Sequence, residues 1–206
     1  MYIPKYYEEK DWAEIEQLIR EFGFALLVST SNDMPLATHL PLELAKNEAG
    51  EWILNGHMAR ANQQWKSFSA AKSVLAVFTG PHAYISPTWY NHKNVPTWNY
   101  KAVHVYGTVR ILEGEELKTA LRNMMARYEN LHAEHPLQMD EVPEKLLQQD
   151  FNGLVAFQIK IERFEAASKL SQNRDAESYG SVIDHLKASD SYDSKRIAEE
   201  MEKRKK

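Results

Sequence analysis

Residues Gly80 to Gly107 read GPHAYISPTWYNHKNVPTWNYKAVHVYG, and the fold turns on how this stretch is divided. It holds four tyrosines, two tryptophans, three histidines and three prolines but no Asp or Glu, so no carboxylate interrupts its aromatic surface. His82–Ser86 reads as a strand, and Tyr100–Leu112 alternates more clearly. Val103, Val105, Val109 and Ile111 share one face of it, and His104, Tyr106 and Arg110 the other. Between them Trp89–Asn99 reads as a long loop, and Gly80-Pro81 as a turn closing a strand over Ser73–Thr79. Two readings stay open for the aromatics. They are a core corner, or a wall that prolines hold against a flat ligand or a second subunit.

Upstream, Trp12, Ile15, Leu18, Ile19 and Phe22 form one stripe, which predicts a helix over Asp11–Phe22 with Asp11 as its cap. Phe24–Thr30 reads as a buried strand, turned at Ser31-Asn32-Asp33. The next strand, Leu36–Leu44, places Leu40, Leu42 and Leu44 inward and Ala37, His39, Pro41 and Glu43 outward. Pro41 implies an edge, a bulge or a ligand-facing interruption. A hairpin turn over Asn47–Gly50 leads to a third strand, Trp52–His57, and then to a short helix, Ala61–Phe68. Arg60 at that junction is either a solvated side chain or a partner for phosphate beside exposed helix amides.

Downstream, Leu117, Leu121, Met124, Tyr128 and Leu131 give an amphipathic helix over Glu115–Leu131, a stripe for core or dimer packing. A second helix follows around Glu144–Phe151, then a strand over Leu154–Phe164. A helix over Glu177–Ala188 precedes a charged tail, read as a solvated helix ending in KRKK. Many short strands joined by tight turns favour an antiparallel barrel over a parallel α/β sheet. One domain over 1–190 and a tail over 191–206 are expected.

Twenty-nine acids against 25 Lys and Arg give a net charge of -4, which is no broad footprint for nucleic acid. With no cysteine, disulfide and thiolate chemistry are excluded. No apolar run approaches membrane-spanning length, and a cytoplasmic protein without membrane partners is expected. The phosphate-binding loops, the nucleophile elbow and the zinc-protease helix are missing from the sequence. His132 and His135 lack a recognisable ligand set. No catalytic residue or metal ligand is assigned.

Several ordered motifs carry a resemblance. Met1-Tyr2-Ile3-Pro4, His39-Leu40-Pro41, Gly56-His57-Met58-Ala59-Arg60-Ala61-Asn62, Gly80–Pro87, Val95–Tyr100 and Lys169-Leu170-Ser171-Gln172-Asn173-Arg174 follow one another. Together they resemble the PaiB family of FMN-binding negative transcriptional regulators, from Met1 to about Leu186. The resemblance implies a mainly β fold with flanking helices, the FMN-binding split β-barrel, FMN as cofactor, and a homodimer with flavin at the subunit interface. It implies repression of sporulation and of protease synthesis, with DNA contact unsupported by charge or motif. A flavin oxidoreductase and a haem-handling protein are the alternatives.

By the same resemblance Arg60 and Asn62 become phosphate ligands, with the Gly56-His57 backbone nearby. His39 and Pro41 would border the isoalloxazine, approached by Ser86 and Trp89, with Trp98 and Asn99 offered by the partner. Lys169, Gln172 and Arg174 would reach the cofactor from the C-terminal side. The homodimer is expected through barrel faces bearing His39, His104 and Tyr106.

Overall fold

The structure, a computed structural model, describes residues 1–69 and 73–204, so the last two lysines of the KRKK end lie outside the described residues. β1 (Phe24–Ser31) and β2 (Met34–Lys46) form a hairpin whose turn places Asn32 and Asp33 at φ 48° and 62°. Short polar side chains tolerate that left-handed conformation better than branched ones. β2 then changes neighbour. Met34–Pro41 pair with β1, and Leu42–Lys46 pair with β3 (Trp52–Ala59). Pro41 therefore sits at the changeover, at the end of one ladder and before the next, where a missing N–H costs little.

β4 (Val74–Ile85) runs straight through Gly80-Pro81, so the predicted turn there does not form. Its ladder with β1 covers Leu75–Val77, and Pro81 lies beyond it. β5 (Thr97–Leu112) starts three residues before the predicted Tyr100, leaving a shorter loop than expected. β6 (Leu154–Lys169) continues past the predicted end at Phe164. The strand order β1-β2-β3-β6-β5-β4 closes a barrel, and its ladders are antiparallel, as the sequence implied.

The chain divides into two compact units, one of Gly23–Val77 and Val105–Phe164, the other of Met1–Phe22, Phe78–His104 and Glu165–Lys206. The first is the barrel unit. Leu40, Leu42 and Leu44 of β2, Ile53 and Leu54 of β3, and Phe157 and Ile159 of β6 fill its interior. Gly107 on β5 is fixed by closeness rather than by turn geometry: a Cβ there would lie 2.0 Å from the Lys160 carbonyl oxygen. The predicted helix over Ala61–Phe68 contracts to a 3-10 turn, Gln63–Ser67. Its buried Gln64 donates to the Leu27 carbonyl (3.0 Å), to Ser29 (3.1 Å) and to the Leu36 carbonyl (3.2 Å). A buried amide so fully bonded stabilises its position, whereas an unbonded one would cost about 1–3 kcal/mol. α2 (Gly114–His132) and α3 (Glu144–Gly153) also belong here, with Met124 the buried residue of α2.

The second unit is built on helices. α1 (Trp12–Glu21) is capped by Asp11, which accepts from the Ala13 amide at 3.0 Å, and it buries Ile15, Leu18 and Ile19. α4 (Ala176–Lys187) and α5 (Tyr192–Lys203) share a core with Ile85, Tyr90 and Leu170. The tail is therefore not a solvated helix. Ile197, Ala198 and Met201 recur on one face of α5 and bury it. No described helix is long and apolar enough to cross a membrane.

Candidate functional site

In the helical unit, β4 alternates so that Pro81, Ala83 and Ile85 are buried while His82 and Tyr84 face outward. On β5, Trp98 is also outward. It is 53% exposed and Tyr84 is 47% exposed. Trp98 lies 5.9 Å from Tyr84, edge to face, and 6.1 Å from the His82 ring. This is an outward aromatic face, so Trp98 is not a core residue. Asn99, its neighbour, points the other way. It is buried, donating to Ser171 at 2.9 Å.

A second cluster in the same unit gathers around the end of β6. Lys169 donates to the Thr97 hydroxyl at 2.5 Å and sits 5.8 Å from the Tyr7 ring. Ser171 then turns the chain at φ 61°. Gln172 is spent on that turn, accepting from the Leu170 amide at 2.7 Å. Arg174 lies with its guanidinium carbon 4.7 Å from the centre of the Tyr90 ring, and its Nε is buried with no acceptor. The Tyr90 hydroxyl, also buried, has no partner. Among the described residues neither Lys169 nor Arg174 is in an ion pair with a carboxylate. Burial, and next the charge of Arg174, pull the Lys169 amine below its ordinary pKa.

The remaining expected residues are used in other ways. Ser86 caps the 3-10 turn Pro87–Trp89, and Trp89 stacks on His185 at 4.9 Å. In the barrel unit His39 is exposed and stacks on Phe24, with Pro41 at the strand changeover. Gly56 packs against Leu42 and Phe157, where a Cβ would come within 2.7 Å of the leucine. His57 has a buried Nδ1 without a partner, and burial pushes its pKa down, so the ring is held neutral. Arg60 donates to the backbone carbonyls of Asn152 (2.9 Å) and Leu154 (2.8 Å), tying the end of α3 to β3. Asn62 caps the Gln63–Ser67 turn and donates to Thr38 at 2.9 Å. Both side chains thus have structural work of their own.

Tyr7 and Tyr90 carry no assignment from the sequence, and His82 and Tyr84 lie in the Gly80–Pro87 motif without a role of their own. The period-two alternation of His82-Ala83-Tyr84 carried the signal for two of them. Tyr7 and Tyr90 come together only through the fold.

The barrel and these clusters can be set beside known proteins. Residues 1–163 match the family model described as "Putative FMN-binding domain". The chain is 44% identical over 202 residues to the protease synthase and sporulation protein PAI 2 of Bacillus subtilis, covering 98% of this chain and 97% of that protein. The chain belongs to the PaiB family. An uncharacterized protein of Saccharomyces cerevisiae is 32% identical over 148 residues, 61% of this chain and 86% of that one. In fold, the chain is similar to the FAD and heme binding protein from Mycobacterium smegmatis, with TM-score 0.63 and 12% identity over 84% of this chain and 78% of that one. The flavocytochrome Anf3 from Azotobacter vinelandii gives TM-score 0.55 and 13% identity over 87% and 78% of the two chains.

Family membership assigns FMN as the cofactor. FMN brings a flat isoalloxazine and an anionic phosphate. The residues present fit both needs, since the helical unit offers exposed rings at Trp98 and Tyr84 and unneutralised cations at Lys169 and Arg174.

Proposed function

We propose that the protein is an FMN-binding negative regulator of the PaiB type, lowering sporulation and protease synthesis as a homodimer. The regulatory part is supported by the extent of its likeness to PAI 2, which runs over nearly the whole of both chains. A net charge of -4 argues against regulation by tight nonspecific binding to DNA, and favours an indirect effect, through a metabolite or a protein partner. The observation that carries the flavin reading is the outward face of Trp98, Tyr84 and His82. Aromatic rings on a rigid strand give a flat ligand a large contact area at small entropic cost. The same face would leave an apolar patch on a monomer, which a second subunit would cover. When bound, FMN supplies electron-transfer chemistry, and the rings around it exclude water.

The test is an absorption spectrum before and after adding FMN, followed by flavin fluorescence titration of the wild type and of Trp98→Ala. The wild type is expected to show the flavin band, and the variant to bind at least tenfold more weakly while its unliganded melting temperature is nearly unchanged. A wild type that takes up no flavin would sink the cofactor reading. Normal flavin affinity in a destabilised Trp98→Ala would remove Trp98 from the site. Expression in Bacillus subtilis lacking PAI 2 should restore low protease synthesis, and failure to do so would overturn the regulatory reading.

A further inference from the structure

Arg174 presents an accounting problem. A buried guanidinium Nε normally has an acceptor, because an unbonded polar donor away from water is costly. Here it has none, and the Tyr90 hydroxyl beneath the guanidinium has none either, although Tyr90 is only 8% exposed. Lys169, whose ammonium lies 5.8 Å from the Tyr7 ring, adds a second positive charge, and burial and then the charge of Arg174 pull its pKa down. The Tyr90 and Tyr7 rings offset part of the repulsion between the two cations but leave the Arg174 Nε and the Tyr90 hydroxyl unsatisfied.

Nearby carboxylates could have balanced them but are engaged. Asp175, next in sequence, caps α4 by accepting from the Ser178 amide at 2.9 Å and also accepts from Asn91 at 3.3 Å. Its other oxygen lies 3.9 Å from the His92 ring. Glu177 accepts from Asn91 at 2.8 Å. Tyr7 adds a phenol beside the cations, and burial, then Tyr6, raise its pKa, so it stays a donor. The cluster therefore has donors in surplus: an ammonium, a guanidinium and phenols, with no acceptor that uses them together.

We propose that Lys169, Arg174 and Tyr90 form an oxyanion-binding site, with Tyr7 at its side. An oxyanion would neutralise both cations and give Arg174 Nε and the Tyr90 hydroxyl their missing partner by charge-assisted hydrogen bonds. It has two sources with the same chemistry, the phosphate of FMN or a free small oxyanion. The first rests on the flavin reading above, and the second does not. Arg60 and Asn62 are committed to backbone and turn contacts, which leaves this cluster as the better-provided anion site.

Full-length wild type, Arg174→Gln and Arg174→Lys would be titrated with FMN and with riboflavin, which lacks the phosphate. Melting temperatures would be recorded with and without inorganic phosphate. If FMN is the source, wild type prefers FMN over riboflavin by at least tenfold, and Arg174→Gln loses most of that preference while Arg174→Lys keeps part. If a free oxyanion is the source, the flavin preference is unchanged in Arg174→Gln, but phosphate stabilises the wild type and no longer stabilises the variant. A phosphate response without flavin binding would support this site while sinking the flavin reading. Arg174→Gln matching the wild type in both measurements overturns the proposal. Should Arg174→Gln fail to fold, Lys169→Met provides the same readouts.

Discussion

The helix pairs α2–α3 and α4–α5 look alike in sequence and behave differently in the fold. Each pair is amphipathic and heavily charged. α4 and α5 bury Val182, Ile183, Leu186, Ile197 and Met201 in a shared core. Across α2 and α3 only Met124 is buried, while Leu131 and Leu146 stay exposed. An amphipathic stripe thus records that a helix has an apolar side, and not that its own chain covers that side. α5 is additionally pinned by charge. Lys101, 6% exposed, donates to Glu200 at 2.5 Å and to Glu14 at 2.8 Å, and Glu200 is only 4% exposed.

The largest effect expected from this contrast is at that ion pair. Lys101→Ala should cost up to about 3–5 kcal/mol in denaturant unfolding, because it removes the buried partner of Glu200 and leaves that carboxylate only the half-exposed Lys203, 2.6 Å away. A loss below about 1 kcal/mol would show that the pair does not anchor α5. Glu200 also gives the stability a pH dependence. Burial works against its charge, but hydrogen bonds from Lys101 and Lys203 hold its pKa below the ordinary value. Its contribution is therefore complete above the usual carboxylate pKa and is lost as pH falls through the lowered one. Melting curves down an acid series should show this loss in the wild type and less of it in Glu200→Gln.

Next in size, Ile197→Ala should cost about 2–5 kcal/mol, as expected for a fully enclosed aliphatic side chain. The smallest effect belongs to Leu146→Ala on α3. At 48% exposure, it should change stability by no more than about 0.5 kcal/mol in dilute solution. Repeating both at high protein concentration sharpens the comparison. If the cost at Leu146 rises with concentration while that at Ile197 does not, a second copy covers α2–α3. Equal costs at every concentration would erase the distinction between the pairs.

Much of the barrel could be read from the sequence because alternation is a local property. Leu40, Leu42 and Leu44 turn inward as their spacing required, and Asp11 caps α1. Pro81 misled because a proline breaks a strand only where a neighbour needs its N–H, and that depends on ladder length. α5 was misread because its charges outnumber its few apolar residues, although those few fall on one face. The candidate site was less legible. Trp98 enters the candidate set through the family resemblance, and its outward place on β5 was not legible from spacing. Arg60 and Asn62 were recognisable as a motif, but their bonds to Asn152, Leu154 and Thr38 are long-range and left no trace in spacing. Tyr90 and Arg174 are far apart in the chain and meet only because β6 and the loop after β4 come together in one unit.

The strand order carries a consequence for synthesis. β3 lies between β2 and β6, and Ile53 pairs with Lys160, about a hundred residues later. At ordinary elongation speeds of roughly 5–20 residues per second, the β1–β2–β3 meander waits on the order of 5–20 s for that partner. Throughout that interval β3 presents an unpaired edge, the form in which nascent sheets recruit neighbouring chains. A ribosome paused before Leu154 would lengthen this exposure, so codon choice between β3 and β6 should govern the yield of native protein more strongly than codon choice after β6 has emerged.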